Sequence, residues 1–554
     1  MASIEKLQCL VPLVRALYGT TSRFLWTDEN GEVHTIIQAE GGEQGCPLMP
    51  ALYALAQHDA LVQVDGNMLP TEKIFSFLDD LYVVTCRTRA RDAFEEVATA
   101  VQAQAGVRTH LGKLRAWSVG GGAAPEGIAQ LGGDIWTADK PDMENGLEIL
   151  GSQLGKEEFV KNFSEARVAK EVAYLEMVSQ IPDLQCGWVM LSMSAVPRAN
   201  HMIRMVPPSL VRDYALAHDN AIWTCFCRMF AVEGFMGDVL ARDIATLPSR
   251  LGGLGLRSAV RSSKGAFMAS WAGALSVLDT TAPIPAENIV QFLERNSPRG
   301  SLVEAYEIRN DFVTNGAALP SWREFKHGAE APPRGDGCDA TEFNAGWQYY
   351  VCSFDENLFR ELLVWPSCCN SRRVLLSQSG GCASAFLNAI PSEAALRMTP
   401  LRLQVAIRRR LRWALPLSGG ICCRGCKQNL DELGDRAASC GTSGRIKLRS
   451  IPVEKMWARV LREAGGKVRE KVFLRDTSIP GIDPSDGRHI EIVATNLPVA
   501  HGIPIAVDAT IVSPLYATDR FGQVQLQHQV KVLGELYEIN TGRIQNCSIV
   551  HCLN

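Results

Sequence analysis

Apolar and polar positions repeat with two different periods over the first 155 residues, and the changes of period mark out strands and helices in turn. Between Arg23 and Ile37, RFLWT and EVHTII flank Asp28-Glu29-Asn30-Gly31, which predicts a β-hairpin. In PLMPALYALAQHDAL, Leu48, Leu52, Leu55 and His58 fall at helical spacing. In KIFSFLDDLYVVT two apolar arms enclose Asp79-Asp80, a strand, an acidic turn and a strand. From Thr88 the pattern aligns Phe94, Val97 and Val101 on one helical face, Gly106 closes that helix, and VRTHLGK reads as extended.

Residues 159–280 are mostly helical in pattern, with VAKEVAYLEMVSQI and LVRDYALAHDNAIWTCFCRMF as the clearest runs. Prolines 283, 285, 298, 320, 332 and 333, with scattered glycines, make residues 280–346 read as a connector rather than a core. Beyond it, LRLQVAIRRRLRW is basic, a cysteine cluster follows, and the end reads as strand (KVREKVFLRD), loop, strand (HIEIVAT), strand (PIAVDATIVS) and helix (VQLQHQVKVLGELY). No internal repeat or low-complexity tract interrupts this order.

At 554 residues the chain exceeds one ordinary core, so several domains are expected. With 46% apolar and 21% charged residues, bulk disorder and fibre are excluded. No apolar run suits a spanning helix, and the first residues lack the order of a secretory signal, which reads as an intracellular chain without a membrane partner. Seventeen cysteines are sparse for a disulfide scaffold of this length and read mostly as buried thiols. The net charge of −4 confines any nucleic-acid binding to local patches.

Two adjacent aspartates at an apolar hairpin tip are costly unless a cation neutralises them, and Mg²⁺ favours such carboxylates together with substrate phosphates. Taken alone, Asp79-Asp80 is also compatible with a solvated turn. Around it stand Gly41-Gly42-Glu43-Gln44-Gly45-Cys46-Pro47-Leu48-Met49-Pro50 upstream, then His110-Leu111-Gly112-Lys113 and Gly146-Leu147-Glu148-Ile149-Leu150-Gly151 downstream. This ordered set resembles the reverse transcriptase palm of non-LTR retrotransposons. The resemblance implies template and nucleotide contacts at Gln44, Gly45 and Pro47, catalytic Mg²⁺ or Mn²⁺ at Asp79 and Asp80, triphosphate contact at Lys113, and a primer grip at Leu150 and Gly151. PRANHMIRMVPP, LPSRLGGLGLRSA and ASWAGAL extend it into a thumb. One departure is clear: such palms place a further metal-binding Asp on an earlier strand, and here Asp28 alone precedes Gly41, followed at once by a turn. The resemblance therefore implies a chain that begins inside the palm, without its fingers, either as a decayed element or from an internal start.

Cys423, Cys426 and Cys440 form C-x2-C-x13-C, an arrangement of thiolates suited to Zn²⁺, with Cys422 as an alternative donor. Related retroelement proteins complete the knuckle with a His four residues and one step before the last Cys; Asp435 stands there, leaving an intact zinc knuckle and a metal-free loop both open. Arg402, Arg408, Arg409, Arg410 and Arg412 lie just upstream and read as a solvated helix face or as a nucleic-acid contact. In the final segment Glu491 and Asp508 interrupt apolar strands, which resembles the restriction-enzyme-like endonuclease of the same elements. That resemblance implies metal at Glu491 and Asp508, help from Asp486, and Lys531 at the attacking water, although no D/E-x-K triplet is present.

The expected fold class is thus α/β and α multidomain: a partial α+β polymerase palm over 1–158, a helical thumb or connector over 159–280, a linker and helical connector over 281–400, a basic helix with degenerate zinc knuckle over 401–446, and an α/β nuclease-like domain over 447–554. The expected activity is RNA-directed DNA polymerisation from deoxynucleoside triphosphates, with RNA template and DNA primer or target as partners and a nuclear location. The alternatives are DNA nicking by the C-terminal module and a catalytically dead nucleic-acid-binding relic.

Overall fold

The computed structural model describes residues 8–38, 45–295, 300–333, 346–364, 369–380, 384–391, 397–415, 420–477, 481–497 and 504–507. The chain divides into two compact units, one of residues 1–149 with 153–159, the other of 150–152 with 160–554. Both helices and small antiparallel sheets are present, with helix predominating. Among the described residues, no helix is long and apolar enough to cross a membrane.

In the first unit a short helix α1 (Val11–Tyr18) precedes a hairpin of β1 (Ser22–Thr27) and β2 (Val33–Gln38), paired from Ser22↔Gln38 to Thr27↔Val33. The Asp28 carboxylate closes its turn, accepting the Asn30 and Glu32 amides at 2.9 Å and meeting His34 Nε2 at 2.9 Å. Asp28 is thus a turn residue, and His34 first, then the turn amides, hold its carboxyl below the usual range. Helix α2 (Met49–Asn67) then leads to β3 (Lys73–Phe77) and β4 (Asp80–Val84), followed by α3 (Ala90–Ala105).

Period dictates how these pieces pack. Ala60 and Val64 on α2 meet Val97 and Val101 on α3, and the inward Ile74, Leu81 and Val83 of the β3–β4 hairpin close the cluster. Gly106 ends α3 at φ +70, a left-handed cap that glycine adopts without strain. The strand pattern of VRTHLGK is not realised: residues 107–110 are irregular and Leu111–Lys113 form one 3₁₀ turn. The irregular chain beyond is organised by Ile128, Ile135 and Trp136, and by Asn145, which accepts from Trp117 Nε1 at 2.7 Å and donates to the Ala138 carbonyl at 3.0 Å. A last hairpin, β5 (Gly146–Ile149) and β6 (Ser152–Gly155), turns through Leu150 and Gly151 at φ +49 and +77, the turn itself being counted with the second unit.

The second unit is chiefly helical. Its helices are α4 (Glu157–Ser179), α5 (Leu184–Val189), α6 (Asn200–Met205), α7 (Pro208–Met229), α8 (Val239–Thr246) and α9 (Ala259–Thr281), then α10 (Pro283–Glu294), α11 (Leu302–Thr314) and α12 (Trp322–Lys326), then α13 (Gly346–Val364), α14 (Cys369–Ser377), α15 (Ala385–Asn388) and α16 (Pro400–Leu411). Trp188, Trp223, Phe226, Phe230 and Trp413 form the centre of its largest core, which gathers residues from Leu175 to Trp413. His218 lies inside this unit, 2.8 Å from Glu171, whose other oxygen accepts from Tyr214 at 2.7 Å; His218 is a satisfied interior residue on that side.

Residues 280–346 depart from the expected open connector. Their described part folds as α10, α11 and α12 around a core of Leu293, Ala305, Ile308, Trp322 and Phe325. Pro283 and Pro285 sit in the first turn of α10 and Pro320 just precedes α12, positions where a missing N–H leaves no gap in the helix. Ser321 and Glu324 cap α12 reciprocally.

After α16 come a small cysteine-bearing loop, α17 (Asp435–Ser439), α18 (Arg445–Glu463), and a three-stranded antiparallel sheet of β7 (Lys467–Phe473), β8 (His489–Thr495) and β9 (Ile505–Val507), in that order. Ala458 and Leu461 of α18 cover the sheet at Ile492 and Ala494.

Candidate functional site

The β3–β4 hairpin brings Phe77 opposite Asp80, so Leu78 and Asp79 form a two-residue turn and both aspartates stand exposed at its tip. Leu78 has φ +58, a conformation that costs a leucine on the order of 1 kcal/mol. What holds the turn comes from α2. Gln57, itself buried, donates from Nε2 to the Leu78 carbonyl at 2.8 Å. One turn earlier on the same face, burial and then the Asp79 charge push the Tyr53 hydroxyl pKa up. The Gly45–Pro50 segment runs directly into α2, with a proline in its first turn, so this helix links it to the acidic tip.

Gly45, at φ +93, and Pro47 lie on that entry to α2, Lys113 ends the 3₁₀ turn, and Leu150 with Gly151 makes the β5–β6 turn. Gln44 lies outside the described residues. Tyr53 and Gln57 were not singled out from the sequence; their signal is the four-residue spacing one and two turns after Pro50.

The base of the hairpin is fixed by Glu72. The Thr85 hydroxyl donates to it at 2.6 Å, the Leu69 amide at 3.0 Å and Arg89 at 3.0 Å, and these hold its carboxyl below the usual range, Thr85 first. The strand ends are thereby tied to the entry of α3.

In the second unit the Sγ atoms of Cys422, Cys423, Cys426 and Cys440 all lie within 4.8 Å of one another, and Cys423 and Cys440 are 3.8 Å apart. A tetrahedron with Zn–S bonds of about 2.3 Å has edges of about 3.8 Å, so the four thiols fit a structural Zn²⁺. The loop is shaped for it: Ile421 bridges Asn429, the Cys426 amide points to Cys423 Sγ at 3.3 Å, and Lys427 turns at φ +51. The Gln428 amide and then the Arg436 guanidinium depress the Cys426 pKa to about 5.

Asp435 is not the fourth donor. Its two carboxylate oxygens each accept from Arg412 at 2.7 Å, with Arg409 3.9 Å away, so it is already neutralised, and Cys422 occupies the fourth position. The same contacts account for most of the basic run. Arg408 donates to the Ala414 and Ala231 carbonyls, Arg409 to those of Leu433 and Gly434, and buried Arg410 to those of Gly253, Ser249 and Gln378. Burial lowers the Arg410 pKa to about 10. Arg402 is exposed near the start of α16. These guanidiniums dock α16 within its own unit, which a charge pattern alone does not reveal.

Glu491 lies half-buried on the middle strand β8, while Asp486 is in the preceding loop, paired with Arg488 at 2.7 Å. Asp508 and Lys531 lie outside the described residues. No family model matches this chain, and no curated protein does.

Proposed function

We propose that the chain is a retroelement-type, metal-dependent nucleic-acid enzyme whose first unit carries part of an RNA-directed DNA polymerase site. The observation that supports this most is the hydrogen bond by which Gln57 of α2, the helix that the Gly45–Pro50 segment enters, holds the Asp79–Asp80 turn. A bare acidic turn needs no such backing; a turn that must present two carboxylates at a fixed place does. Asp79 and Asp80 would hold Mg²⁺ or Mn²⁺, which supplies charge neutralisation for nucleotidyl transfer when bound. The chain's own groups position: Gln57 holds the turn. Lys113 is the candidate contact to the incoming triphosphate, and Leu150 with Gly151 to the primer.

Primer extension on an RNA template tests this, with deoxynucleoside triphosphates and Mg²⁺ or Mn²⁺. Extension is expected and should vanish in Asp79→Asn; extension that survives the substitution overturns the assignment. A second reading, DNA nicking by the C-terminal module, is favoured by the half-buried carboxylate of Glu491 on the central strand of its sheet. Metal-dependent nicking by the full chain that disappears in Glu491→Ala would support it.

A further inference from the structure

Arg408, Arg409 and Arg410 of α16 are engaged within their own unit, yet the chain holds a stronger basic stretch elsewhere. Residues 445–475 contain ten Lys and Arg against three Asp and Glu, in a chain of net charge −4. Strand β7 distributes these charges by the two-residue period of a strand. Val468 pairs with Ala494 and Glu470 with Ile492, on the face that α18 covers; there Glu470 is neutralised by Arg462 at 2.6 Å. Lys467 pairs with Thr495 and Arg469 with Val493, so both stand on the opposite face, and both are exposed. Among the described residues, neither has a carboxylate at ion-pair distance. Lys471 comes next, exposed, level with Glu491 and at φ +54. The outer face therefore carries a row of cations leading to Glu491.

We propose that the outer face of β7, at Lys467 and Arg469, docks the phosphate backbone of double-stranded DNA. Opposite charge selects a polyanion, and among the described residues this face presents no open aromatic platform, which selects a duplex over an unstacked single strand. The one ring at the end of the row, Phe473, is occupied: Arg475 lies 4.7 Å over it and the His489 ring meets it edge-on at 5.9 Å. Along β7, alternate side chains recur roughly every 7 Å, so adjacent cations reach successive backbone positions rather than one phosphate. The choice of DNA rests on the retroelement reading above; the charge geometry does not.

The test is the salt dependence of duplex binding by the full chain, without turnover, for the native protein and Lys467→Gln/Arg469→Gln. Each lost phosphate contact removes about 0.9 from the slope of log K against log salt, so the double variant should lose about 2 and bind more weakly at every salt concentration. Arg402→Gln, exposed on α16, should leave the slope unchanged, and because the slope is read without nucleotides or turnover, failure here is separate from failure of the polymerase assignment, which primer extension reads. Both glutamines sit on an exposed strand face, and an unchanged melting temperature confirms that the sheet persists. If the melting temperature falls, charge-conserving Lys467→Arg/Arg469→Lys must restore fold and slope together. An unaltered slope in a folded double variant overturns the proposal, as does single-stranded RNA that displaces the duplex from the same residues.

Discussion

Cys422 and Asp435 exchange the roles their positions suggest. Adjacent cysteines offered two candidate donors to the zinc pattern, and only the loop geometry decides between them: Cys422 reaches the other sulfurs, while Asp435 faces Arg412. Sequence spacing carried the metal site but could not see that Asp435 already had a partner. Cys422→Ser should therefore abolish stoichiometric zinc binding, measured by release to a colorimetric chelator. Asp435→Asn should keep the zinc and instead lower unfolding stability by about 2 kcal/mol, since Arg412 and Arg409 would lose a half-buried carboxylate. The opposite pair of results would restore Asp435 as a ligand. Arg410 carries a larger penalty. Replacing it by Met leaves the Gly253 and Gln378 carbonyls without the Arg410 donor and Ser249 with fewer donors, for an expected loss of about 3 kcal/mol in chemical denaturation.

Among the elements, the β3–β4 hairpin and α3 were legible because their periods are clean and Gly106 punctuates them, whereas α2 is weakly amphipathic and buries Gln57, Ala60 and Val64 rather than the Leu48, Leu52, Leu55 and His58 row, His58 being exposed. The region 280–346 was not, because a proline that cannot continue a helix is equally well placed to begin one, and only packing against Trp322 and Phe325 separates the two cases. Tyr53 and Gln57 escaped notice for another reason: a polar residue on a helix is ordinary until the turn it faces is known. Gln57→Ala should free the strained Leu78 turn, reducing primer extension at least tenfold while costing only about 1 kcal/mol of stability; unchanged extension would remove Gln57 from the positioning role. Glu72 gives the hairpin a pH signature. Its carboxyl is held below the usual Glu value, so its contribution to stability is complete above about pH 4.3 and is lost as pH falls through the lower, folded value. Glu72→Gln should be less stable at pH 7, and the gap should close on acidification, as measured by hydrogen exchange within residues 69–101.

At the scale of the whole chain, the thiol cluster that fits a metal and the acidic turn lie in different units. The acidic turn belongs to the first and the thiol cluster to the second, so a strong zinc chelator should lower the thermal midpoint of the second unit and leave amide protection in residues 57–101 unchanged. Protection lost equally in both would mean that the metal stabilises more than its own loop.

Arg410 and Trp188 also impose an order in time. Trp188 Nε1 donates to the Leu387 carbonyl 199 residues ahead, and Arg410 returns to carbonyls at 249 and 253. Emerging from a ribosome, the helices that contain residues 175–256 meet their closing partners only after another 150 or so residues have been synthesised. Until then Trp223 and Phe226 lack the Trp413 ring that packs against them, and the nascent chain presents an aromatic surface to whatever chaperone waits at the exit. Translation speed between codons 256 and 413 thus becomes a determinant of yield.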